Sequence, residues 1–174
     1  SSTAAGLGSE VVFESGNTQQ IGMTYDTTND KVVIVYRDSS NSDYGTAVVG
    51  TVSGKTISFG TPVVYESAST EYHSAAFDST NQKVVVCYRD GGNSNYGTGI
   101  VGTVSGTSIS FGSAAVFESG VTTYSNVAFD SANGKAVISY VDGNDGDKGK
   151  AVVGTVSGTS ISFGSPVTFN NAAA

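Results

Sequence analysis

The chain of 174 residues carries a formal net charge of -7, so nucleic acid and anionic membranes are not expected as partners, because phosphate binding requires clustered Lys and Arg. Its single cysteine excludes an intramolecular disulfide, and no apolar run reaches the roughly 18 residues of a membrane-spanning helix. The 23 Gly, 2 Pro and 13% charged residues, together with frequent Val, Ser and Thr, predict an all-β fold of short strands joined by tight turns.

An internal repeat runs through the whole sequence. The strings VVFES, VVYES, AVFES and VTFNN recur with a constant period of 52 residues and begin at Val11, Val63, Ala115 and Val167. Residues 1–174 are therefore predicted to form one repeat domain, with full repeats at 11–62, 63–114 and 115–166 and partial repeats at 1–10 and 167–174. This phasing is typical of a segment of a longer array, or of a unit that is completed by another chain.

Four strands are predicted in each repeat. In the second repeat, alternation of apolar and polar residues predicts strands at 71–78, 83–90, 96–106 and 107–119, and an extra amino-terminal strand is predicted at 8–15. An aspartate opens the turn after each first strand, where its carboxylate can bond the backbone, at Asp26, Asp78 and Asp130. A glycine that can take positive φ lies after each third strand, at Gly54, Gly106 and Gly158.

Side-chain size indicates how these strands are arranged. The second strand is apolar on both faces, with Ile34 and Tyr36 on one and Val33 and Val35 on the other, so neighbouring sheets must cover both. Small residues on one face of each first strand suit a crowded axis. Four-stranded antiparallel meanders packed around an axis are the blades of a β-propeller, and three blades plus the extra strand are predicted. A stacked solenoid and a β-sandwich are the alternatives, although solenoid coils are usually shorter than this period and a sandwich does not need three copies of one meander. Because propellers have about four to eight blades, the chain is expected to be a homo-oligomer or part of a longer array.

The unit AFDSTNQKVVVCYRDGGNSNYGTGIVGTVSGTSISFGS, at residues 76–113, resembles tandem repeats of structural and tail-associated proteins of marine phages and algal viruses. Similar repeats occur in surface proteins of environmental bacteria, and the resemblance covers nearly the whole chain. It implies a propeller-like structural or adhesive array with an extracellular or virion-associated location, rather than a chemical activity.

The most polar connections join the second strand to the third and read YRDSSNSDYG from Tyr36 and YRDGGNSNYG from Tyr88. Function on a rigid scaffold usually lies in such loops, and charged, amide and tyrosine side chains together suit a carbohydrate. Bracing of the loops themselves is the alternative role for these side chains. The predicted ligand-binding residues are Arg37, Asp38, Asn41, Tyr44, Arg89, Asp90, Asn93 and Tyr96, with Tyr72 and His73 from the neighbouring connection.

The matching loop of the third repeat departs from this pattern and reads YVDGNDGDKGK, with Val141 and Lys148 in place of the Arg and Tyr. Its oxygen-bearing side chains have the composition of a calcium site, and a solvated acidic turn is the alternative. The predicted calcium ligands are Asp142, Asn144, Asp145 and Asp147. No other cofactor is expected.

Catalysis has little support in the sequence. The only histidine, His73, aligns with Ile21 and Ser125 in the other repeats, so it indicates a variable position rather than a general base. The sequence therefore favours a non-enzymatic structural or adhesive module that self-associates or binds a surface. The alternative is a lectin-like propeller that binds surface glycans at one shallow site in each intact repeat, and a glycan-processing enzyme is the weakest reading.

Overall fold

The fold is known from a computed structural model that describes residues 8–171, so the predictions for residues 1–7 and 172–174 lie outside it. All regular structure in the described part is β-strand, which confirms the all-β prediction. In chain order the strands are β1 (Thr18–Asp26), β2 (Lys31–Asp38), β3 (Tyr44–Ser53), β4 (Thr56–Phe59), β5 (Val63–Asp78), β6 (Lys83–Asp90), β7 (Tyr96–Ser105), β8 (Ser108–Phe111), β9 (Ala115–Asp130), β10 (Lys135–Asp142), β11 (Lys148–Ser157), β12 (Ser160–Phe163) and β13 (Val167–Asn170).

The strands form one antiparallel sheet of 13 strands that is not closed on itself. The same meander occurs three times, and we call β1–β4 the first unit, β5–β8 the second and β9–β12 the third. The long strands β5 and β9 join these units, because each changes partner along its length. Residues 63–69 of β5 pair with β3 of the first unit, and residues 70–78 pair with β6 of the second.

Two boundaries predicted from the sequence are wrong. The predicted strand at 107–119 is interrupted after Phe111, and its second part continues into the next unit as the start of β9. The extra strand predicted at 8–15 is not a strand in its described residues. The physical reason is that a strand needs a hydrogen-bonded neighbour, and within residues 8–171 no other strand pairs with this segment.

The core lies between successive units rather than within any one of them. Val33, Val35 and Val49 of the first unit form one cluster with Val86 and Tyr88 of the second. A second cluster joins the second unit to the third in the same way. The middle strand β6 is consequently buried on both faces from Val84 to Tyr88, as the apolar pattern predicted.

The first strands of the three units run side by side. A Cβ added to Gly22 would lie 3.0 Å from the carbonyl oxygen of His73 and 3.2 Å from the Cα of Ser74. The Ser74 hydroxyl in turn lies 3.0 Å from Oδ1 of Asn126 in the third unit. Small side chains at these positions therefore allow close approach of the backbones.

Candidate functional site

The repeated string YRDSSNSDYG forms two consecutive turns, which we call the double turn, where β2 is joined to β3. The carboxylate of Asp38 accepts hydrogen bonds from the backbone N–H of Ser40 (3.0 Å) and Asn41 (3.1 Å). The N–H of Tyr44 then donates to the carbonyl oxygen of Asn41 across two residues with positive φ, Ser42 and Asp43. Two left-handed central residues define a type I′ turn, which matches the twist of the flanking strands.

The second unit has the same double turn. Asp90 accepts from the N–H of Gly92 (2.9 Å) and Asn93 (3.2 Å), and Ser94 and Asn95 have positive φ. Asp38 and Asp90 are buried, whereas Asn41 and Asn93 are exposed. Much of the recurrence of this string is therefore explained by turn formation, and the two aspartates are committed to the backbone.

The two arginines of the strings meet at the junction between the first and second units. Arg37 forms an ion pair with Asp43 (2.6 Å) and donates to Glu71 (3.1 Å), which also pairs with Arg89. The hydrogen bond from Arg37 lowers the pKa of the Asp43 carboxyl. The third unit has no such bridge, because Thr123 and Val141 occupy the positions of Glu71 and Arg89.

Two tyrosines lie beside these arginines on strained backbone. The rings of Tyr72 and Tyr124 are 5.1 Å apart, and the Arg89 guanidinium lies 5.1 Å from the centre of the Tyr72 ring. Tyr72 and Tyr124 have φ of 54° and 52°, as the first residues of bulges in β5 and β9. Tyr124 is 71% exposed, which leaves a flat apolar surface open to solvent.

Buried tyrosines of the second strands pair with the glutamates of the period-defining strings, a role that the sequence reasoning missed. The Tyr88 hydroxyl donates to Glu66 (3.1 Å), and the Tyr140 hydroxyl donates to Glu118 (2.9 Å). Burial is the main cause of the raised pKa of Tyr36, and the nearby Glu14 carboxylate adds to it. Among the described residues no acceptor meets hydrogen-bond geometry for the Tyr36 hydroxyl. The 22-residue spacing between each glutamate and its tyrosine was the available signal.

The remaining predicted ligand residues differ in accessibility. Tyr44 and Tyr96 are half-buried where β3 and β7 begin. His73 is buried at the junction between the first and second units, where its Nδ1 contacts the hydroxyl of Tyr65. Its Nε2 has no hydrogen-bond partner among residues 8–171. Burial lowers the pKa of His73 to about 4, so its imidazole is neutral at pH 7.

Two lysines of β11 form ion pairs with the acidic loop of the third unit. Lys150 Nζ lies 2.6 Å from Asp142 and 3.0 Å from Asp145, and Lys148 Nζ lies 2.8 Å from Asp145. These ion pairs raise the pKa of Lys150 and lower that of Asp145. Within residues 8–171, no group of three or more His, Cys, Asp or Glu side chains is placed to hold a metal ion.

The first unit exposes an apolar surface that later units bury. Val52 is 54% exposed, whereas its counterparts Val104 and Val156 are 7% and 6% exposed, because the preceding unit covers them. We call this surface the first end face. It consists of Ile21, Met23, Tyr25 and Val52, all of which are exposed.

The third unit exposes the opposite surface. Val153 is 47% exposed, whereas Val49 and Val101 are 1% and 0% exposed beneath the following unit. Asn126 and Ala128, on the small-residue side of β9, are exposed next to it. We call Asn126, Ala128 and Val153 the second end face. The two end faces therefore present the two halves of the interface that occurs twice inside the chain.

Comparison with protein families, with curated proteins and with solved structures gives no match. The resemblance to phage and viral repeats thus stays a prediction. Among the described residues no helix is present that could span a membrane.

Proposed function

We propose that the chain is a non-enzymatic structural module that assembles end to end with further copies of itself. The observation that carries this proposal is the exposure of Val52 at a position where Val104 and Val156 are buried. Burying apolar surface stabilises the buried state by about 25 cal/mol per Å². Covering the two end faces with a second copy therefore favours association. The first end face of one copy meets the second end face of the next, as successive units do within the chain.

The arrangement we propose for the units is an arc of propeller-like blades. Side-by-side first strands with small residues between them, such as Gly22 and Ser74, support this arrangement. The first and second units also present their double turns at the same ends of their strands. End-to-end contact of this kind is heterologous, so it closes into a ring if the rotation between copies allows and otherwise gives an open polymer.

The test of end-to-end assembly uses one charged substitution in each end face. Val52→Lys places a charge in the first end face, and Val153→Lys places one in the second. Each variant is expected to remain monomeric at concentrations where the unaltered chain associates. Mixing the two variants should restore a heterodimer, because one intact face of each kind remains. Light scattering behind a size-exclusion column measures these masses.

Val116→Lys is the matched control, because Val116 is 43% exposed on β9 and lies in neither end face. We expect it to associate as the unaltered chain does. Self-association of Val153→Lys alone would mean that like faces pair, which overturns the heterologous arrangement. Failure of the unaltered chain to associate across the micromolar range would overturn the proposed function.

A lectin-like function is the second candidate, and the exposed ring of Tyr124 beside Tyr72 and Arg89 favours it. A flat aromatic face can stack on a sugar ring while neighbouring charged groups bind its hydroxyls. A glycan array tests this candidate. Tyr124→Ala should abolish any sugar binding, whereas Val116→Lys should leave it intact, and binding that survives Tyr124→Ala would contradict this site.

A further inference from the structure

The segment before β1 already lies where the corresponding part of β5 and β9 lies in the later units. The ring of Phe13 packs at a steep angle against that of Tyr36 with ring centres 5.2 Å apart, just as Tyr65 packs against Tyr88 at 5.3 Å and Phe117 against Tyr140 at 5.1 Å. The carbonyl oxygen of Asn17 accepts from the N–H of Ser39, as those of the matching residues do in the other units. Residues 8–17 therefore occupy a strand's place on their own unit.

This segment lacks only the partner strand that would complete it. Residues 63–69 of β5 pair with β3, and residues 115–121 of β9 pair with β7, so each long strand spans two units. In the part of the chain that the structure describes, the corresponding residues 11–17 pair with no third strand, and regular strand structure begins at Thr18. Val12 is 74% exposed, compared with 42% for Val64 and 43% for Val116 at the same repeat position.

The available partner on another copy is β11, but β13 covers its edge. β13 pairs with Gly149, Lys150 and Ala151 of β11, in the same register in which β5 pairs with β3. The ring of Phe169 lies over Gly149, as Tyr65 lies over Gly45 and Phe117 over Gly97. β13 therefore occupies the place that residues 11–14 of a following copy need.

Two copies in end-to-end contact cannot keep both segments in that place. Phe13 and Phe169 hold the same position of the repeat, and Tyr36 of the following copy offers one site for such a ring. β13 is the weaker occupant. It has only four residues, and Phe169 is 66% exposed, whereas Phe117, which packs against Tyr140, is 7% exposed.

We propose that end-to-end association proceeds by strand exchange, in which residues 11–14 of one copy displace β13 from β11 of its neighbour. The inference rests on the proposed function and adds its regulation. The joined strand then runs from residue 11 to 26 as β5 and β9 do. In the separate chain, β13 caps the edge of β11 and slows polymerisation, as natural proteins protect exposed sheet edges.

A matched pair of proline substitutions in the full chain tests the exchange, because Val12 and Thr168 hold the same repeat position. Proline removes a backbone donor and disfavours strand pairing. Thr168→Pro should weaken the β13 cap and tighten association by about tenfold or more, whereas Val12→Pro should weaken association by a similar factor. Sedimentation velocity measures the association constants, and circular dichroism verifies that both variants fold.

Hydrogen exchange provides a second readout. The backbone amides of residues 11–14 should exchange freely in the monomer and become protected in the assembly, while those of residues 167–170 should lose protection. If Val12→Pro and Thr168→Pro associate as the unaltered chain does while Val52→Lys does not, strand exchange is overturned and end-to-end assembly stands. If no form of the chain associates, both proposals are overturned.

Discussion

The first and second units have similar sequences but differ in what surrounds them. Val52 and Val104 occupy the same position on the same strand type, yet one is exposed and the other is buried. The neighbour, rather than the repeat itself, thus determines which side chains form core. Free energy of folding in such a chain resides mainly in the interfaces between units, as in other repeat proteins.

The largest expected effect comes from a lysine in place of buried Val104, compared with a lysine in place of exposed Val52. Val104→Lys should lower the free energy of unfolding by about 3–5 kcal/mol, because an uncompensated charge is left in the buried junction. Val52→Lys should change it by less than about 0.5 kcal/mol at concentrations where the chain is monomeric. Urea unfolding measures both, and equal losses would mean that the first end face is not free.

His73 is titratable, whereas its counterpart in the third unit is Ser125. The pKa of His73 in the folded chain, about 4, lies below the value of about 6.5 for an unfolded histidine. Neutral His73 therefore makes a contribution to the free energy of unfolding that is fully present above pH about 6.5. This contribution is lost as pH falls toward 4, and the maximum loss is about 3 kcal/mol.

His73→Ser, which copies the third repeat, should remove this pH dependence between 6.5 and 4. Thermal unfolding midpoints measured across that range provide the test. A variant that keeps the same slope would show that other groups cause it.

A smaller difference is expected among the buried tyrosines. Tyr140→Phe leaves Glu118 without its hydroxyl donor and should cost about 1.5–3 kcal/mol, the usual range for a hydrogen bond to a charged group. Tyr36→Phe should cost nothing or stabilise the chain, because the Tyr36 hydroxyl has no hydrogen-bond partner. Denaturant midpoints distinguish the two, and a comparable cost at both positions would indicate that Glu14 does accept from Tyr36.

The smallest expected effect concerns calcium and the acidic loop of the third unit. Lys148 and Lys150 already pair with Asp142 and Asp145, so a calcium ion would have to displace two ammonium groups. We expect millimolar calcium, or its removal by a chelator, to leave the melting temperature unchanged. Lys150→Ala is the informative variant, since stabilisation by calcium in that variant alone would show that the lysine excludes the ion.

The sequence predicted most of the local structure because a period-2 pattern and turn chemistry recur in every repeat. Strand β6 coincides with the predicted residues 83–90, and the turns opened by Asp26, Asp78 and Asp130 form as expected, with N–H donors two and three residues on. Gly54, Gly106 and Gly158 have φ of 60°. These features depend only on near neighbours along the chain.

Features that depend on long-range partners were not predictable in the same way. The segment predicted as one strand at 107–119 pairs with β7 in both of its parts but is interrupted between Phe111 and Ala115, and its second part continues without a break into the first strand of the next unit. The string SFGSAAVFES does not indicate this interruption. The bulges at Tyr72 and Tyr124 escaped notice because glycine, rather than tyrosine, is typical of their left-handed residue. The bridge through Glu71 also required knowledge of how two units meet.

The continuity of β5 and β9 has a mechanical consequence. Because residues 63–78 and 115–130 each belong to the ladders of two units, a unit cannot lose its first strand without disturbing the edge of the one before it. Tension applied along the chain would pass from one unit to the next through these two continuous strands. Such a chain is expected to unfold first at a terminal unit, because a terminal unit shares a continuous strand with one neighbour whereas the middle unit shares one with each of two.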